Sequence, residues 1–188
     1  MTGQRNLAVF PDDFQYAYHY FEASEGPFRS LTELPEKDAE SVLRRLRERG
    51  KSFASQRAAD YLTIRRELEQ RVRGEFQAKG GRPVTRVPVS MTLGPCPWIQ
   101  SWYESGQFVR IPLSDLQPSA ISFTYGDLFP TMRLQDGKPY RAQVYTLAEL
   151  PALIEKFGFP QVWNAAGAAG PERYIEIQVW HSGFLCES

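Results

Sequence analysis

A carboxylate stands near the middle of the last strand-like stretch of this chain, Arg173-Tyr174-Ile175-Glu176-Ile177-Gln178-Val179-Trp180. β-Branched residues, aromatics and alternation make the stretch a strand. Successive side chains on a strand point to opposite faces. Ile175, Ile177 and Val179 therefore share one face, and Tyr174, Glu176, Gln178 and Trp180 the other. A buried charge without partners costs several kcal/mol, so a glutamate between two isoleucines is paired, solvated or at work. The aromatic, amide and indole groups on its face suit the wall of a ligand cleft. A glutamate on a solvated sheet face is the plain alternative.

Other reactive residues are few. The chain has two histidines and two cysteines. His19, His181, Cys96 and Cys186 match no zinc-site spacing, so no metal is expected. A lone histidine in an aromatic strand, as at Tyr18-His19-Tyr20, is ordinarily a hydrogen-bonded core residue. Trp98, Trp102 and Tyr103 would ordinarily be core as well. A Cys96 nucleophile would need a base and an orienting acid, and no motif supplies them. Neither HExxH nor a phosphate-cradling glycine pattern occurs, so Gly80-Gly81 and the glycines of 167–170 read as turns.

The elements that must position Glu176 follow from periodicity. Residues 14–21 are aromatic-rich and form a first strand. Thr32 and Pro35 open a helix that Gly50 closes, with Ala39, Val42, Leu43 and Leu46 on one face. A longer helix covers Ala54 to Lys79, with a stripe of Ala58, Tyr61, Leu62, Leu68, Val72 and Phe76. Its arginines, Arg65 and Arg66 among them, read as i,i+4 partners of neighbouring glutamates. After residue 82 short strands alternate with turns: 84–93, 108–113, 120–125, 140–145 and 173–180. Thr146 and Glu149 form a capping box for one inserted helix, and the Gly- and Ala-rich loop 164–171 reads as flexible. The two parts, 1–82 and 83–188, make one domain, since neither holds enough strands alone.

Charge is balanced, 22 basic against 22 acidic side chains, but residues 35–82 carry 13 Lys and Arg against 8 Asp and Glu. That segment could meet an anionic partner or simply face solvent. No signal-peptide pattern or long apolar run is present, so the chain reads as cytoplasmic and reduced, with no membrane partner.

Four ordered pieces carry a family resemblance. They are Val87–Met91 with Gly94–Trp98, then Ile121–Asp127, then Leu150–Trp163, then Arg173–Val179. In that order they distantly resemble the DarT-type ADP-ribosyltransferases over a little more than half the chain. The whole chain also resembles a bacterial protein family, which implies no activity. The DarT resemblance implies an α+β domain with a split, mainly antiparallel sheet and N-terminal helices. It implies NAD as the dinucleotide ligand, a nucleic acid or protein acceptor, and Glu176 as the catalytic carboxylate. Cleavage between nicotinamide and ribose builds positive charge on the sugar, which a carboxylate steadies. His19 or Arg29 would hold the dinucleotide, and Trp98, Tyr125 or Tyr174 would stack on it. Asp127 and Arg173 would serve the acceptor substrate. The family's glutamine two residues before the catalytic glutamate is Tyr174 here. The alternative function is a non-enzymatic module that binds a protein or nucleic acid through its cleft or its basic helices.

Overall fold

The computed structural model describes residues 10–49, 58 and 60–183. Cys186, Gly50, Ala54 and the side chain of Leu46 lie outside the described residues. Five strands form one antiparallel sheet in the order β3-β1-β2-β5-β4. They are β1 (Tyr16–Glu22), β2 (Val89–Leu93), β3 (Gly106–Pro112), β4 (Ile121–Thr124) and β5 (Glu176–Val179). The helices are α1 (Glu36–Arg49), α2 (Tyr61–Ala78), α3 (Pro97–Gln100), α4 (Leu128–Thr131), α5 (Leu150–Phe157) and α6 (Pro160–Trp163). No helix among the described residues is long and apolar enough to cross a membrane.

Register fixes which residues share a face. Tyr18 lies opposite Thr92, Thr92 opposite Glu176, and Glu176 opposite Thr124. The next row is Ser90, Gln178 and Ser122. This polar face is covered by α2. Val72 and Phe76 of α2 pack with Trp180, so the face is not solvated. The opposite face carries Ala17, Met91, Phe123, Ile175, Ile177 and Val179 into the main apolar core. Both parts of the chain therefore contribute to one sheet.

The buried residues of α2 are Leu62, Arg65, Glu69, Val72 and Phe76. Their spacing of three and four is that of one helical stripe. Two of its five positions are charged. Leu62 also closes a small cluster with Ala39 and Leu43 of α1.

β1 and β2 pair at only two positions, Ala17–Leu93 and Tyr18–Thr92. Beyond them the strands part, and the sheet opens beside Glu176. By contrast, β1 and β3 pair along all seven residues.

Three expectations change. The strand expected over 84–93 begins at Val89, with residues 84–88 outside it. Residues 140–145 form turns with a single bridge, Phe123–Tyr145. Arg141 N donates to Lys138 O, and Ala142 has φ of 51°, a turn geometry that a strand cannot carry. The loop 164–171 is fastened rather than loose. Asn164 is buried, donates to the carbonyls of Gly170 and Glu172, and accepts from Ala169 N.

Candidate functional site

The opening between β1 and β2 forms a cleft of about 980 Å³, lined as well by residues of α1 and α2. Glu176, only 2 % exposed, lies at its floor. Three donors hold its carboxylate. Arg65 Nη2 donates to Oε1 at 2.8 Å, Ser90 Oγ to Oε1 at 2.9 Å, and Leu128 N to Oε2 at 2.6 Å. The Leu128 donor is free because it opens α4, where backbone N–H groups lack intrahelical partners. Burial and nearby Asp127 push the Glu176 carboxyl above its ordinary range; Arg65, Leu128 N–H and Ser90 oppose them.

Arg65, 7 % exposed, is the hub of the floor. Its Nε donates to Glu69 Oε1 at 2.9 Å, and Nη2 also reaches Ser90 Oγ at 3.0 Å. Nη1 lies 3.5 Å from Asp127 Oδ1. One guanidinium thus answers three carboxylates. Burial works against its charge, but Glu176, Glu69 and Asp127 keep it protonated well above its ordinary range. Asp127 caps α4 through Phe129 N at 2.7 Å and accepts from Tyr174 Oη at 3.0 Å. Burial, with Asp127 and Glu176 beside it, pushes the Tyr174 phenol far up, so it stays a donor.

Five of the eight expected site residues line this one cleft: Glu176, His19, Arg29, Tyr174 and Asp127. Arg29 is exposed at the rim. His19 faces the cleft with both ring nitrogens engaged. Nδ1 meets Ser90 O at 3.0 Å, and Phe28 N donates to Nε2 at 2.9 Å. This pattern fits the neutral ring with its proton on Nδ1. Burial lowers the His19 pKa from its ordinary 6.5, against the Ser90 hydrogen bond.

The other three expected residues lie elsewhere. Tyr125 is fully buried in the apolar core, where its hydroxyl meets the carbonyls of Phe157 and Gly158 and accepts from Trp163 Nε1. Its ring packs on Tyr140 and Phe157, and its hydroxyl anchors α5 and α6. Trp98 and Arg173 stack on each other, with the guanidinium 4.3 Å from the ring centre, and Arg173 donates to Ala165 O. Neither lines the cleft. The tyrosine and the arginine are used up by the packing of the last third of the chain.

The helix arginines also differ from a solvated surface. Arg65 does pair with Glu69 at i,i+4, but it does so inside. Arg66 donates to Leu34 O, and Arg73 to the carbonyls of Thr85 and Pro83. These side chains fasten α2 to its neighbours. Cys96 is buried and its thiol is pushed up by burial, which makes it a poor nucleophile. Among the described residues no group of His, Cys, Asp and Glu has the arrangement of a metal site.

Sequence reasoning missed Arg65, Glu69 and Ser90. The first two had a readable signal, since they occupy stripe positions between Leu62 and Val72. Comparison of the chain with protein-family models, with curated proteins and with solved structures found no match.

Proposed function

We propose that the cleft accepts NAD and that the protein is an ADP-ribosyltransferase-like enzyme, with Glu176 as its catalytic carboxylate. One observation carries this reading: Glu176 sits at the floor of an open cleft with a defined share of its acceptor capacity unused. An ionised carboxylate has about four acceptor positions. Arg65 and Ser90 take those on Oε1, and Leu128 N–H takes one on Oε2. The remaining position on Oε2 is where a ribose hydroxyl would donate.

The residues around it fit the ligand. A volume near 980 Å³ is at the upper end for small-molecule sites. Tyr18, Tyr20, Trp102 and Tyr103 line the cleft and offer faces for flat rings. Arg29 and Arg45 line it too and suit a pyrophosphate. The sheet is single and continuous rather than split, and the early parting of β1 from β2 opens the mouth of the cleft.

When bound, NAD supplies a ribose on which positive charge builds as the bond to nicotinamide breaks. Glu176 grips a hydroxyl of that ribose and faces the developing charge with its own. Its three fixed donors keep it oriented, so no reorganisation is needed at the moment of reaction. Arg65 and Ser90 act through Glu176 and are positioning residues. Asp127, on the same floor and partly exposed, takes the proton of the incoming acceptor.

The test is nicotinamide release from NAD together with calorimetric titration of NAD. Glu176→Gln should lower release by about 10²–10³-fold with NAD binding retained. In the parent protein the rate should fall on the acid side, as the raised Glu176 carboxyl takes up its proton. No NAD binding, or a Gln variant as active as the parent, would overturn the reading.

A further inference from the structure

Among the described residues the cleft carries a surplus of negative charge, although the chain as a whole is neutral. Among the described residues, eight carboxylate side chains line it against three arginines and no lysine. Glu22, Glu25, Glu33, Asp38 and Glu104 are the upper group, and Glu69, Asp127 and Glu176 the floor. On the floor one arginine is shared among three acids, so the surplus is negative there as well. A concave, low-dielectric wall of one sign focuses its field and raises the local concentration of opposite charges.

A separate observation points to a guest. Glu69 Oε1 is paired with Arg65, but Glu69 Oε2 has no hydrogen-bond partner. The Glu69 side chain is 3 % exposed and lines the cleft. A buried carboxylate oxygen without a donor costs more than an ordinary missing bond, because the charge has been taken out of water. A cationic group bringing an N–H donor to Oε2 from the cleft would supply what is missing. The walls suit the same chemistry. Tyr18, Tyr20, Tyr61, Trp102 and Tyr103 line the cleft, and aromatic faces attract guanidinium and ammonium groups.

From these features we infer that the cleft binds an organic cation, a guanidinium or an amine, with Glu69 as its buried anchor. A polyanion such as DNA or RNA does not fit this surface. The assignment does not require NAD to bind, so the two readings fail separately.

The test is a calorimetric titration in low-salt buffer with three probes: butylguanidine, its neutral isostere butylurea, and the anion butanoate. Butylguanidine should bind at least about tenfold more tightly than butylurea, the factor expected of a charged hydrogen-bonded pair. Butanoate should not bind. Glu69→Gln should weaken butylguanidine by about tenfold or more. Because Glu69 also holds Arg65, a cooperative thermal transition must first show that this variant folds. Independently, the exposed-rim variant Glu33→Gln with Asp38→Asn should flatten the salt dependence of binding. Equal affinity for the guanidine and the urea, or unchanged binding in a folded Glu69→Gln, overturns the inference. So does a rim variant with the parent's salt dependence. NAD turnover, measured alongside, tests the role of Glu176 and not the cation site.

Discussion

Glu172 and Glu176 are four residues apart, both buried, both ion-paired to an arginine, and they have different jobs. Glu172, 1 % exposed, meets Arg141 Nη1 on Oε1 and Lys138 Nζ on Oε2 at 3.0 Å. Arg141 turns its other donors to Asp136, at 2.9 and 2.7 Å. Two acids face two bases, and Glu172 does not line the cleft. That cluster ties the turns near residue 140 to the entrance of β5. Around Glu176 three acids share one base, and a cleft lies over them. A buried carboxylate with an arginine is therefore no sign of a site by itself. The signs are an unbalanced charge and an open volume beside it.

The largest effect should come from removing each base in turn. Arg65→Leu leaves three carboxylates facing one another and should cost about 3–5 kcal/mol, the range for breaking a buried pair. Arg141→Leu leaves Glu172 with Lys138, so its loss should be smaller, about 2 kcal/mol. Urea midpoints at unchanged slope measure both. If Arg141→Leu proves the more damaging, the charge surplus assigned to the Glu176 floor does not exist.

The same contrast explains what could be read from the chain. The strand around Glu176 was legible because alternation is local, and Ile175, Ile177 and Val179 do enter the core. α2 was legible through Leu62, Val72 and Phe76. Its role was not, since Arg65 and Glu69 look like surface charges until a sheet face is known to lie against them. Tyr125 misled for the opposite reason. It was singled out only through the resemblance over Ile121–Asp127, while the partners that bury it, Phe157, Gly158 and Trp163, lie more than thirty residues away. Residues 140–145 have strand-like side chains, but the turn at Arg141 and Ala142 wins because Arg141 is committed to Asp136 and Glu172. The Thr146–Glu149 signal was local but only half of the capping box formed: Glu149 Oε2 accepts from Thr146 N, while α5 begins at Leu150, with Glu149 before it and no side-chain cap.

Acid and base should act on the two clusters with opposite sign. Glu176 has a raised pKa in the folded protein, so between the ordinary 4.5 and that higher value the folded state holds more proton than the unfolded one. Its contribution therefore declines as pH rises through this window. Asp136 is held at about 2 by its hydrogen bond to Arg141, against an ordinary 3.8. There the unfolded state binds more proton, so stability is present above 3.8 and is lost as pH falls towards 2. Urea titrations of Glu176→Gln and Asp136→Asn beside the parent isolate each slope. A parent-minus-variant difference of the same sign in both windows would remove the electrostatic distinction between the clusters.

The smallest effect is also the most specific. Tyr174→Phe removes the hydroxyl that donates to Asp127 Oδ2. Asp127 is partly exposed, so water can replace the lost donor, and the cost should be about 1 kcal/mol or less. What matters is how that cost combines with others. Without the hydroxyl, Asp127 leans harder on Arg65 Nη1, which is a long 3.5 Å away. Arg65→Lys keeps the charge and loses the planar fork that reaches three carboxylates at once. The two changes should therefore couple, by about 0.5–1 kcal/mol in a double-mutant cycle. Tyr174→Phe combined with Arg141→Lys crosses from one cluster to the other and should add within about 0.3–0.5 kcal/mol. Coupling in the first cycle and additivity in the second would show that two buried glutamates so close in sequence belong to separate electrostatic units. Coupling in both would merge them into a single network, and the charge surplus beneath the cleft would then be shared with Lys138 and Arg141.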